Sequence, residues 1–100
     1  MITGQNGLKI YTHPQRRPHE RMRKLRKQAG AWLRELRERR GLSQRELAAR
    51  VGAEYYTFIS QLETGRGRIP PDQYLVWARA LGIDKREFVR TLMSYYDPLN

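Results

Sequence analysis

Three segments of this chain end a helix-period apolar pattern on a glycine: "ELAARVG" at 46–52, "FISQLETG" at 58–65 and "YLVWARALG" at 74–82. Apolar side chains at i, i+3 or i+4, and i+7 make one stripe along a helix. Helices this short are marginal alone and must bury their stripes against each other. The pattern predicts an all-α fold of closely connected short helices, and no stretch reads as part of a sheet.

Further signals bound the remaining elements. Ser43 followed by Glu46 is a capping box, and it opens the helix that Gly52 stops. Pro71 suits a helix start, with Tyr74, Leu75, Trp77, Ala78 and Leu81 following at helical spacing. Asp84 and Glu87 repeat the capping pattern before "KREFVRTLMSYY", and Pro98 prevents continuation. Upstream, "GAWLRELRERRG" carries Trp32, Leu33 and Leu36 and ends at Gly41. Residues 19–29 are helix-compatible, with Met22, Leu25 and Ala29 in a narrow apolar stripe. Gly30 either separates these two segments or is carried inside one long helix. Residues 1–18 show no helical period and are expected to form a flexible or extended arm. The domain reading is therefore a basic arm and helical extension over 1–29, a five-helix domain over 30–97, and a short tail over 98–100.

Charge points to a partner. Residues 1–40 hold twelve Lys/Arg against three Asp/Glu, a net of +9, and residues 41–100 hold eight against seven, a net of +1. A basic block on a near-neutral domain suggests a polyanion, and nucleic acid fits best. A membrane surface fits poorly, because the block lacks an aromatic–leucine face to insert. With no cysteine, disulfides and thiolate metal sites are excluded, which fits a reducing cytoplasm. His13 and His19 make no credible metal pair, and no phosphate-binding glycine loop is present. No enzyme, no metal and no cofactor are expected.

Two short helices joined by a tight glycine turn, the second with polar residues on its outer side, form a helix-turn-helix. The stretch "LSQRELAARVG…ISQLETGRGRIPP…WARALGI" resembles the XRE, or Cro and lambda-repressor-like, helix-turn-helix family over residues 30–95. The resemblance implies a sequence-specific regulator of transcription that binds double-stranded DNA, commonly as a dimer, in a cytoplasmic, nucleoid-associated setting. One residue more than the common family spacing lies between Val51 and Leu62, and it is placed in the turn at Ala53 or Glu54.

By that resemblance the recognition helix spans about 55–64. Tyr56, Thr57, Ser60 and Gln61 occupy its base-reading positions. Gln61 suits adenine N6 and N7, and Thr57 suits a thymine methyl. Ser43, Gln44, Arg45, Arg50, Arg66 and Arg68 are candidate backbone contacts, with Gln44 alternatively bracing a recognition-helix side chain. Glu63 is expected to be structural. Tyr55 shares the helical face of Ile59 and Leu62, so its ring is assigned to the core.

The basic front end offers Arg16, Arg17, Arg21, Arg23, Lys24, Arg26 and Lys27 to a minor groove or to phosphates. On the last helix, Phe88, Val89, Leu92, Met93 and Tyr96 present more apolar surface than a small core needs. They are assigned to a homodimer interface. Three other readings stay open: an antitoxin that also binds a toxin protein, an activator that contacts RNA polymerase, and a sequence-tolerant RNA or nucleoid binder.

Overall fold

The structure, a computed structural model, describes residues 6–98, with side chains from residue 19 onward. Five α-helices follow in order: α1 (Asn6–Arg39), α2 (Gln44–Val51), α3 (Thr57–Glu63), α4 (Tyr74–Leu81) and α5 (Lys85–Tyr96). A 3-10 turn over Pro71–Gln73 leads into α4. No strand occurs among the described residues.

Both expected N-caps form, the first as a full capping box and the second through the Asp84 side chain alone. The Ser43 hydroxyl accepts from Glu46 N at 3.0 Å, and Ser43 N donates to the Glu46 carboxylate at 2.8 Å. Both bonds satisfy amides that a helix N-terminus would otherwise leave unpaired. Asp84 caps α5 by accepting from Arg86 N and Glu87 N.

α1 corrects the reading of the front end. It runs unbroken from Asn6, so residues 6–18 are helical and not an extended arm, and Gly30 lies inside one helix of 34 residues. Each interior proline costs a helix about 3 kcal/mol, which is why Pro14 and Pro18 favour an arm in the sequence. The helix nonetheless continues through both.

Gly30 has a tertiary reason. It is buried, and a Cβ there would collide with the carbonyl oxygens of Leu62 and Glu63. The C-terminal turn of α3 thus lies directly on the α1 backbone. Gly65, at φ +82°, makes a second close approach, where a Cβ would sit 2.9 Å from the backbone of Lys27.

Leu33, Leu47, Ile59, Leu62, Ile69, Trp77, Phe88 and Leu92 form the fully buried centre of the core. Ala29 is also fully buried, so the packed unit begins before residue 30.

Phe88, Leu92 and Tyr96, expected at a dimer interface, belong to this core. α5 turns that face toward α1 and α4, and Trp32 stacks on Phe88 at 5.6 Å between ring centroids. The Tyr96 hydroxyl accepts from Ile69 N at 3.2 Å, and burial raises the phenol pKa above its ordinary value. Only Val89 and Met93 of the expected set are partly exposed.

Candidate nucleic-acid interface

α3 is short because its boundaries are set from both sides. The turn after Gly52 delays its start to Thr57, with Tyr56 as the N-cap, and Thr64 and Gly65 end it. Ile59 and Leu62 face the core, Phe58 is half-buried, and Thr57 and Gln61 are exposed. Ser60 is half-buried.

A buried polar cluster holds the inner side of α3. Arg37 donates to both carboxylate oxygens of Glu63, from Nε at 2.6 Å and from an Nη at 3.1 Å. Its remaining Nη donates to the Leu42 carbonyl at 2.8 Å. Gln44 Nε2 donates to Glu63 Oε1 at 3.1 Å. One carboxylate therefore ties α3 to the end of α1 and the start of α2. The hydrogen bond to Glu63 raises the Arg37 guanidinium pKa above its ordinary value, so the guanidinium stays charged. Glu63 is structural as expected, and Gln44 takes its bracing alternative.

Of the two tyrosines, Tyr55 departs from the sequence reading. Tyr55 is 66% exposed and Tyr56 39% exposed, so Tyr55 is not a core residue. Its assignment extended the periodicity of α3 one turn upstream, and α3 does not reach that far. Tyr55, Thr57, Phe58 and Gln61 instead line one shallow cleft together with Gln73. Glu54, Tyr55 and Gln73 are polar cleft residues that the sequence reading did not assign to a site. The extra residue placed at Ala53 or Glu54 was the signal for Tyr55, because a longer turn moves the first helical residue along the chain.

Tyr56 has a different neighbour. The Arg45 guanidinium lies over its ring at 4.4 Å from the centroid, a cation–π geometry. This contact couples the start of α3 to the exposed side of α2. Ser43 and Arg50 are exposed at the two ends of α2, and Arg66 is exposed after α3.

Arg68 is engaged elsewhere than expected. It pairs with Asp97 at 3.2 Å and lies over the Tyr96 ring at 4.8 Å. These contacts fasten the loop after α3 to the end of α5, which leaves Arg66 as the free arginine of that loop among the described residues. Arg21, Arg23, Lys24 and Lys27 are exposed along α1, and Arg26 is half-buried. Arg16 and Arg17 are in the α1 backbone, and their side chains lie outside the described residues.

A short helix braced across a second and presenting an exposed polar side defines a helix-turn-helix protein. The chain belongs to the XRE-type helix-turn-helix family of DNA-binding transcriptional regulators; residues 33–88 match the helix-turn-helix family. Among solved structures it is similar to the restriction-modification controller protein C.AhdI from Aeromonas hydrophila. The two are 37% identical, the match covers 65% of this chain and 96% of that one, and the TM-score is 0.56. No curated protein matches the chain. No helix among the described residues is long and apolar enough to cross a membrane.

Proposed function

We propose that this protein reads a specific double-stranded DNA site by inserting α3 into the major groove and thereby regulates transcription of nearby genes. The observation that carries this reading is the outward set Tyr56, Thr57 and Gln61 on a helix braced through Glu63. A braced reading helix loses little conformational freedom on binding, so its polar contacts are not offset by ordering costs. Gln61 pairs with adenine, Thr57 meets a thymine methyl or a base acceptor, and Ser60 reaches a neighbouring edge. Tyr55 joins this set by its place in the same cleft. Arg45, Arg50 and Arg66, with the Ser43 hydroxyl, meet phosphates and fix the register. Arg16 and Arg17 extend the basic surface upstream.

Selection from a pool of random duplexes tests the reading. An enriched sequence is expected, and Gln61→Ala should lose the preference at one base pair, by about 1–3 kcal/mol of discrimination. A pool that enriches no sequence would overturn the assignment of α3 as the reading element.

A homodimer is the form in which such a domain doubles its site. Val89 and Met93, partly exposed on α5, are the remaining candidates for the contact. Likeness to a restriction-modification controller favours transcriptional control over the antitoxin alternative. The location that follows is the compartment of the DNA, the cytoplasm.

A further inference from the structure

We propose that one face of α1, carrying Arg23 and Lys27, is a rigid second contact for the backbone of duplex DNA beside the site read by α3. This inference rests on the DNA-binding reading above and specifies how the basic front end takes part in it.

Three observations carry it. First, the face is set by packing. Arg23, Lys27 and Gly30 are spaced i, i+4 and i+7, so they share one side of α1. Gly30 on that side bears the carbonyls of Leu62 and Glu63, and Gly65 rests on the backbone of Lys27. The basic side chains therefore begin where α3 ends, next to exposed Arg66.

Second, the charge is available. Arg23, Lys27 and Arg66 are exposed, and none has an acidic partner within 4.0 Å among the described residues. The nearest acid on α3, Glu63, is buried and neutralised by Arg37. Glu20, one turn before Arg23, is the lone acid in residues 19–29 against five Lys/Arg.

Third, the segment is a continuous helix anchored in the core through Ala29 and Leu33. Its position relative to α3 is thus fixed before binding. Duplex DNA presents phosphates at regular spacing along its backbone, and a straight helix that holds cations one turn apart suits such an array. A flexible acidic peptide would not need this rigidity.

A side of α1 rotated by about 120° supplies the control. Arg21, Lys24 and Gln28 are spaced i, i+3 and i+7, and Gln28 lines the groove formed with Trp32 and Tyr95. Through Gln28 that side leads toward α5 and away from the end of α3.

The experiment compares the full chain with R23Q/K27Q and with R21Q/K24Q, which remove equal charge from sides of α1 centred about 120° apart. Circular dichroism first establishes equal helix content and melting. Binding is then measured against salt on the selected duplex, on a random duplex and on a random RNA. Loss of two phosphate contacts should flatten the log–log salt slope by about 1.8 in R23Q/K27Q. Between 50 and 200 mM salt the affinity should then fall roughly twelvefold less steeply than for the full chain. The R21Q/K24Q slope should change by less than half as much.

Equal slopes for the two variants would overturn the proposal, because net charge alone would then account for both. Equal or tighter binding to RNA than to random duplex would overturn the assignment to duplex DNA. If selection enriches no sequence, the α3 reading fails, while the slopes on random duplex still decide this one.

Discussion

Glu63 illustrates how much one side chain can organise. Its carboxylate is shared by Arg37 and Gln44, so removing it leaves a guanidinium buried without its partner. Breaking a buried pair from one side costs about 3–5 kcal/mol, a large part of the stability of a domain this small. Glu63→Ala should lower the urea midpoint accordingly. Glu63→Gln, which retains hydrogen bonding, should lose less. Tyr55 and Tyr56 should behave in the opposite way. Both are exposed, so alanine at either position should shift stability by no more than about 0.5 kcal/mol. Each should weaken binding to the selected duplex, as read by fluorescence anisotropy. A large fall in melting temperature for Tyr55→Ala would return that ring to the core.

At the scale of the element, α1 gives a test in which local propensity and packing predict opposite signs. Replacing a mid-helix glycine by alanine favours the helix by about 1 kcal/mol. At Gly30 the new Cβ meets the backbone of α3, and overpacking of this kind costs about 1–3 kcal/mol. Gly30→Ala should therefore destabilise the protein in thermal melts despite raising helix propensity. The cap of α2 gives a pH test. Hydrogen bonds from the backbone and then the side chain of Ser43 hold the Glu46 carboxyl below its ordinary pKa. A lowered folded pKa contributes stability that is present above the unfolded value and is lost as pH falls through the folded value. Urea melts should thus show an acid-side loss of stability beginning below about pH 4.5 and diminished in Ser43→Ala.

At the scale of the whole molecule, assembly is the open variable with a direct measurement. The α5 face first assigned to a partner is spent on the core, because Phe88, Leu92 and Tyr96 close it against the helices of their own chain. A dimer contact on this helix is left with Val89 and Met93. Sedimentation equilibrium of V89S/M93S should show a shift toward monomer with melting nearly unchanged. An unaltered mass distribution would move the contact to another surface. The same packing limits where the chain can be shortened. Ala29 and Gly30 are buried against the rest of the fold, so a truncation that tests the basic front end must stop well before residue 29.

The helices after α1, their stops and the class of fold were legible in the sequence because their signals are local, whereas the length of α1 was not. A capping box, a helical period and a terminating glycine are each contained within a few consecutive residues. The basic front half and the outward Thr57 and Gln61 were legible for the same reason. The tertiary structure decided what depended on distant neighbours: Arg68 committed to Asp97, Gly30 placed under α3, and one face of α5 closed into the core. Burial and pairing at those positions come from chain segments 27 to 56 residues away. No local pattern encodes such a contact, because its energy belongs to surfaces that meet only after the helices have packed.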